Sequence, residues 1–224
     1  MGINDRKVKE IEIKKNDIID AAERVFFTKG YDAATMDDVA REAEFSKRTV
    51  YVYFNSKEQI YFEVMVRGYR LLIEMLESRQ EGGEPVDALE KIRRLSRVLF
   101  CFSNEHDHYF SAIMQYENSE QDFEKGVPDE SKAECYALGE KILGYLTAAL
   151  QQGVEEGTFR KDLDVRKTAL VLWACTNGVF NTAKIKEKYL LNYHGITPQE
   201  LVSSAFRLLT DSILLNNGGV NFDS

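Results

Sequence analysis

The apolar residues of the N-terminal quarter repeat with the period of an α-helix, and capping residues punctuate them. Ile18, Ala22, Val25 and Phe26 mark one face of a first helix. The pattern ends it at Gly30, a natural left-handed residue after Lys29. Met36, Val39, Ala40 and Ala43 form the inward stripe of a short second helix. Thr35 is its N-cap, and Asp37 and Asp38 sit against the positive end of its dipole. Glu44 and Phe45 follow, with the Phe45 ring expected to plug the corner. Ser46 then caps a third helix in which Val50 and Phe54, four apart, face inward. Ser56-Lys57-Glu58-Gln59 is a capping box that opens a fourth helix reaching about Glu77, with Lys57 in its first turn.

Beyond it the same reading continues. Gly82-Gly83-Glu84-Pro85 breaks the chain. A helix from about Val86 to Asn104 follows, with Leu89, Ile92, Leu95, Val98, Leu99 and Phe102 as its stripe, then a shorter one from about His106 to Glu117. Gly126-Val127-Pro128-Asp129 is a second break. A helix from about Glu130 to Glu156 ends at Gly157, and Thr158 to Leu163 is a turn. The last two helices run from Asp164 to about Tyr189 and, after Gly195, from Thr197 to about Asn216. Thr197-Pro198-Gln199-Glu200 is a capping box with proline at the first helical position. Gly and Pro are sparse and alternating β-branched runs are few, so the expected class is all-α. The expected division is a three-helix N-terminal domain over residues 1–57 and a larger helical domain over residues 58–224.

The third helix leaves Lys47, Arg48, Thr49, Tyr51, Val52 and Tyr53 on its outside. An ordinary solvated face rarely carries two tyrosines and a valine. A face that meets DNA does: Lys and Arg neutralise phosphates, Tyr and Thr hydroxyls bond phosphates or base edges, and Val touches a thymine methyl. The alternative is a plain αα-hairpin with incidental charges. Residues 47–57 carry three basic side chains and no acidic one. The net charge of −8 opposes DNA only until it is mapped: residues 1–57 hold 11 basic and 11 acidic residues, and the remainder holds 18 and 26. All the excess acid lies in the larger domain. Residues 1–15 extend the first helix or form a loose basic arm through Arg6, Lys7, Lys9, Lys14 and Lys15.

The segment from about Ile18 to Phe62 resembles the N-terminal domain of the TetR family of bacterial transcriptional regulators. The resemblance rests on Ile18, Ala21-Ala22, Phe26, Lys29-Gly30-Tyr31, Thr35, Val39-Ala40, Ala43, Ser46-Lys47, Thr49-Val50-Tyr51, Tyr53-Phe54, Ser56-Lys57-Glu58 and Tyr61. It covers about a fifth of the chain without a gap. It implies a helix-turn-helix domain whose third helix lies in the major groove of a double-stranded operator. Thr35, Tyr53 and Lys57 would then hold phosphates, and Lys47, Arg48, Thr49, Tyr51 and Val52 would sit at or near base edges. It also implies a homodimer through the final two helices, where Leu170, Ala174 and Gly178 on one and Leu201, Ala205, Leu208 and Leu209 on the other supply the apolar surface. Two positions depart from the family pattern. Glu44 stands where glycine is usual, and Arg48 where a small residue is common.

Aromatic residues collect in the middle helices. Phe102, Tyr109, Phe110, Met114, Trp173, Asn177 and Phe180 are the candidates for an effector pocket, and a small, mainly apolar effector of unknown identity is expected. Ordinary core is the competing reading of the same stripe. Glu105-His106-Asp107-His108 is metal-like in composition, but adjacent helical residues diverge, so a solvated helix start with Asp107 as a cap is expected and no metal. Cys101, Cys135 and Cys175 are far apart and form no C-x-x-C, as in a reduced, cytoplasmic protein. No cofactor is expected. No apolar run approaches the roughly 18 residues of a membrane helix. The expected function is a homodimeric, effector-released repressor. The alternatives are an activator or a non-specific DNA binder without a small-molecule effector. No Gly-rich phosphate loop or Ser/His/Asp set points to an enzyme.

Overall fold

The computed structural model describes residues 3–78, 86–117 and 130–215. The breaks expected at 82–85 and 126–129, and the helix end expected at Asn216, lie outside the described residues. Among the described residues the chain is helical, with no strand and one isolated β-bridge, Phe159 to Leu214. The helices are α1 (Ile3–Lys29), α2 (Met36–Glu42), α3 (Lys47–Tyr53), α4 (Lys57–Ser78), α5 (Ala88–Glu105), α6 (Asp107–Glu117), α7 (Glu130–Glu155), α8 (Val165–Ile185), α9 (Glu187–Tyr189) and α10 (Pro198–Ile213).

Residues 3–15 continue α1 rather than leaving it as an arm, and Lys14 and Glu10 pair one turn apart at 2.8 Å. The helix stops at Gly30, whose φ of 78° ends the ladder without the Cβ penalty another residue would carry. The helix expected from Asp164 to Tyr189 instead stops at Ile185, where Lys186 leaves helical geometry at φ −106°. The three residues of α9 and a wide π turn, Leu190–His194, follow, and Gly195 closes them at φ 63°. The wide turn is registered by the Ile196 N–H donating to the Leu190 carbonyl at 3.1 Å.

The chain forms two compact units. The first contains α1 to α3, α4 as far as Leu71, α6 from His108 and the start of α7. Its interior is built from Ile18, Ala22, Val39, Val50, Phe54, Ile60, Phe62 and Val64, all nearly inaccessible to solvent. The second contains the end of α4, α5, the rest of α7 and α8 to α10. Its core gathers Ala88, Ile92, Ala149, Leu150, Phe159, Ala169, Leu172 and Ile213. Phe159 is fully buried and its ring lies where a Cβ on Gly153 would stand, which fixes glycine at that point of α7. Main-chain bonds from Arg160 N–H to the Ile213 carbonyl (3.1 Å) and from Leu215 N–H to the Thr158 carbonyl (3.2 Å) tie the end of α10 to this turn. Cutting Phe159 back to alanine therefore costs about 3 to 5 kcal/mol. No helix among the described residues is long and apolar enough to cross a membrane.

Candidate nucleic-acid interface

The first unit presents α3 on a fixed base. Val50 and Phe54 are buried beneath it, and Ser46 caps it by accepting the Thr49 N–H at 3.0 Å. That spacing turns Lys47, Arg48, Tyr51 and Val52 outward, and Val52 is 72% exposed. An apolar side chain so exposed among basic and phenolic groups has the composition of a surface that meets base edges. Thr49 and Tyr53 are half-buried, and the Thr49 hydroxyl shares a 2.8 Å bond with Ser46. Lys47 reaches back to Asp37 on α2 at 3.0 Å, an exposed pair that solvent screens. On α1, the Lys15 ammonium lies 6.0 Å from the centre of the Phe54 ring, so part of the basic N-terminal run stands beside the end of α3.

The turn between α2 and α3 is a Schellman motif. The Phe45 N–H donates to the Ala40 carbonyl at 2.9 Å and the Glu44 N–H to the Arg41 carbonyl at 3.2 Å. This geometry requires a left-handed residue, and Glu44 supplies it at φ 56°. The position where the family pattern has glycine is thus a left-handed one, and Glu44 bears the cost of a Cβ there. Phe45 is half-buried at this corner.

Two of the expected phosphate ligands have structural duties. The Thr35 hydroxyl and N–H both donate to Asp38 Oδ2, at 2.7 and 3.1 Å, and the Asp38 N–H donates to the Thr35 hydroxyl oxygen. Lys29 adds a bond to Asp38 Oδ1 at 2.6 Å, and these partners hold the Asp38 carboxyl down at a pKa of about 2. Lys57 donates to the Tyr31 and Ala34 carbonyls at 2.7 and 2.9 Å, and its ammonium lies 4.2 Å from the centre of the Tyr31 ring. It thus pins the loop between α1 and α2. The sequence names Tyr31 only as part of the family pattern and misses its pairing with Lys57, which is 26 positions away and joined to it by no local pattern. Burial, with Glu58 and Asp32 nearby, pushes the Tyr31 phenol up to about 12. The capping box at Ser56 is shifted by one residue. Ser56 accepts the Gln59 N–H as expected, but Gln59 Oε1 returns to the N–H of Asn55.

Within the first unit, α1, α4 and the loop after α1 are laced to α6. Tyr31 and Tyr61 rings meet at 4.3 Å, and the Tyr61 hydroxyl donates to the Ala112 carbonyl at 2.9 Å. Tyr109 donates to Glu23 at 2.7 Å and packs edge-on against Phe27. Its phenol is therefore committed to α1, and Phe110 and Met114 are buried in the same unit. His108 stacks on Phe27 at 5.0 Å, whereas the His106 ring lies by Phe102. Asp107 accepts from Lys184 at 3.1 Å. Among the described residues no group of three or more acidic, His or Cys side chains is placed to hold a metal.

In the second unit, Trp173 lines an apolar cavity of about 40 Å³ with Leu76, Leu95, Leu99, Ile142 and Leu146. Phe180 is buried between Phe100 and Phe206, with ring centres 6.1 and 6.0 Å away, and Asn177 is half-buried. Phe102 is buried on α5. Helices α8 and α10 pack against one another. Leu170, Ala174 and Gly178 of α8 and Leu208 of α10 are exposed, and Leu201 and Ala205 are half-buried. Leu209 turns the other way, into the core and the cavity wall.

Comparison with known proteins bears on this arrangement. Residues 18–64 match the family described as bacterial regulatory proteins, tetR family. The chain is 29% identical over 166 residues to an uncharacterized HTH-type transcriptional regulator, YhgD, of Bacillus subtilis (strain 168), spanning 71% of this chain and 78% of that protein. It is 26% identical to the fatty acid metabolism regulator protein of the same organism, across 92% of this chain and 98% of that one. A crystal structure of the transcriptional regulator FadR from Bacillus subtilis in complex with stearoyl-CoA has the same fold. Its TM-score is 0.65 at 21% identity, over 88% of this chain and 98% of that chain.

Proposed function

From the premise that this chain belongs to the TetR family of bacterial transcriptional regulators, we propose that it is a cytoplasmic homodimeric repressor released from a palindromic operator by a small, mainly apolar effector. The observation that carries the DNA part is the outward face of α3. Lys47, Arg48, Tyr51 and Val52 stand together on a helix whose opposite side is locked by Val50 and Phe54. Arg48 is the group suited to a bidentate contact with guanine, and Tyr53 and Lys57 are assigned to phosphates. Thr35 serves α2 as its cap and contributes to DNA by holding that helix in register.

The dimer is supported by the exposed apolar positions of α8 and α10. Leu170 and Val171 are 55% and 58% exposed, and Leu208 is 67% exposed, beside the small residues Ala174 and Gly178. Such a patch on a lone chain is a liability, and a second copy removes it from water. Two reading helices then meet half-sites about 34 Å apart. An effector acts by favouring the dimer geometry that misses this spacing, because a ligand shifts an equilibrium only by binding one state better than the other. A relative named for fatty acid metabolism is in keeping with an apolar effector. Light scattering on the purified chain at micromolar concentration tests the assembly: a dimer is expected, and a monomer that also fails to dimerise on DNA removes the proposal.

A further inference from the structure

A wide groove of about 500 Å³ opens between α5 and α10 in the second unit. It has two chemistries. Its floor is apolar, from Phe100, Val202 and Phe206, and its rim carries Arg93, Arg97 and Arg207. Arg97 is paired with Glu90, while Arg93 and Arg207 make no ion pair among the described residues, and a single carboxylate, Asp211, stands at one end. Three guanidiniums against one carboxylate on an apolar trough make the groove locally basic, which suits an anion.

The groove is also the outer half of a longer path. Ser96, Phe206 and Thr210 line both this groove and the apolar cavity that holds Trp173. The two hydroxyls are turned away, since Ser96 donates to the Ile92 carbonyl at 2.9 Å and Thr210 to the Phe206 carbonyl at 2.7 Å. What separates groove from cavity is thus a short wall with the half-buried Phe206 ring in it. Outside the wall are guanidiniums; inside it are leucine, isoleucine and tryptophan side chains.

We propose that this path is the effector site, and that its ligand is an anionic amphiphile whose carboxylate or phosphate head is held by Arg93, Arg97 and Arg207 and whose unbranched apolar tail passes Phe206 to lie against Trp173. Arginine suits either head, because its planar fork matches both oxyanions. The inner cavity, at about 40 Å³, holds no more than a methylene or two as it stands. The tail therefore enters only as Phe206 swings and α10 moves off α5. That requirement supplies the differential affinity a switch needs. Helix α10 carries Val202, Phe206 and Thr210 on the groove side and Leu201, Ala205 and Leu208 on the side assigned to the dimer. A displacement forced at one face is delivered to the other. The proposal rests on the regulatory reading for its purpose.

Trp173 is the single tryptophan of the chain and lines the inner cavity, so its emission reports tail entry. The test titrates the full chain with decanoate, decanoyl-CoA, decanol and CoA. At least one of the two tailed anions is expected to shift Trp173 emission saturably, and comparison of the two separates a carboxylate head from a phosphate-bearing one. CoA leaves the emission unchanged, and decanol binds at least about tenfold more weakly, as does the tailed anion to Arg93→Glu/Arg207→Glu, for the loss of charged hydrogen bonds. Arg166→Glu, an exposed change elsewhere on α8, leaves the affinity as it was. Silence of Trp173 toward both tailed anions, or binding indifferent to head charge and to the arginine pair, overturns the proposal. Selection of duplex DNA on the same protein keeps the two readings apart. Specific DNA with no amphiphile response removes the groove and spares the regulator; an amphiphile response with no specific DNA supports the groove and removes the regulator.

Discussion

Tyr109 on α6 donates its hydroxyl to Glu23 on α1 at 2.7 Å, and Arg67 on α4 grips the same carboxylate at 3.1 Å. Arg67 further reaches Asp20 at 2.6 Å and Asn16 at 3.2 Å. Gly68, next to it, lies so close to Tyr109 that an added Cβ would stand 3.0 Å from the ring. One carboxylate on the first helix is thus shared by two other helices of the same unit. Burial and the bond to Glu23 push the Tyr109 phenol well above its usual range, so it remains a donor at all physiological pH.

Tyr109→Phe is expected to lower stability by about 1 to 2 kcal/mol, the scale of a hydrogen bond to a charged acceptor in a half-buried site. Urea unfolding of the single variants and of Tyr109→Phe/Glu23→Gln reads the coupling. Equal losses from Tyr109→Phe with and without Glu23 would show that the bond contributes nothing.

Glu44→Gly is expected to stabilise the first unit. The left-handed backbone at φ 56° penalises a Cβ by more than glycine loses in the unfolded chain, for a net gain of about 0.5 to 1 kcal/mol. Thermal unfolding should move up by roughly 1 to 4 °C for that gain. A fall in the midpoint would mean that the Glu44 side chain holds something the turn needs.

Lys57→Ala and Arg48→Ala should separate two kinds of residue. Lys57→Ala removes both bonds to the α1–α2 loop, so it should lower the unfolding midpoint and weaken DNA on every sequence, with a salt slope shallower by about 0.9 if a phosphate contact goes with it. Arg48→Ala should leave stability within about 0.5 kcal/mol. It should relax sequence preference by about 1 to 3 kcal/mol at one base pair. Unchanged binding in Arg48→Ala at physiological salt argues against α3 as the reader.

The Asp38 cap sets an acid limit. Its carboxyl is held at about 2 in the folded chain, below the 3.8 of an unperturbed aspartate, first by Lys29 and then by Thr35. A lowered pKa means the bonds contribute fully above about 4 and are lost as pH falls toward 2. The Asp38 carboxyl carbon, followed by NMR, should titrate at about 2, and Lys29→Ala should move that midpoint upward. A midpoint at 3.8 with Lys29 present would show that the cap is not formed.

The face of α3 was legible because its determinants are local: two inward residues four apart, a serine cap and an upstream turn. Glu44 was marked only by the family resemblance, as a position where glycine is usual; that its backbone is left-handed comes from the structure. The duties of Lys57 and Tyr109 were not legible. Their partners are Tyr31, Ala34 and Glu23, tens of residues away, and helical period records that a side chain faces inward without recording what it meets. The aromatic stripe failed to resolve on that ground. Tyr109, Phe110 and Met114 went to one unit, and of the remainder Trp173 reached the cavity wall. Leu208 and Leu209 differ by one position and about 100° of helical rotation, enough to send one to solvent and the other to the core. The wide turn at Leu190–His194 has no signal in the residue pattern that we can identify.

The most direct test of the regulatory reading is a selection of bound sequences from random duplex DNA with the purified chain at about 150 mM salt, where weak non-specific contacts are largely suppressed. Recovery of a palindrome with half-sites one or more helical turns apart is the result expected of a dimer that reads through α3. Absence of any enriched sequence, from protein that is folded and dimeric, would contradict it.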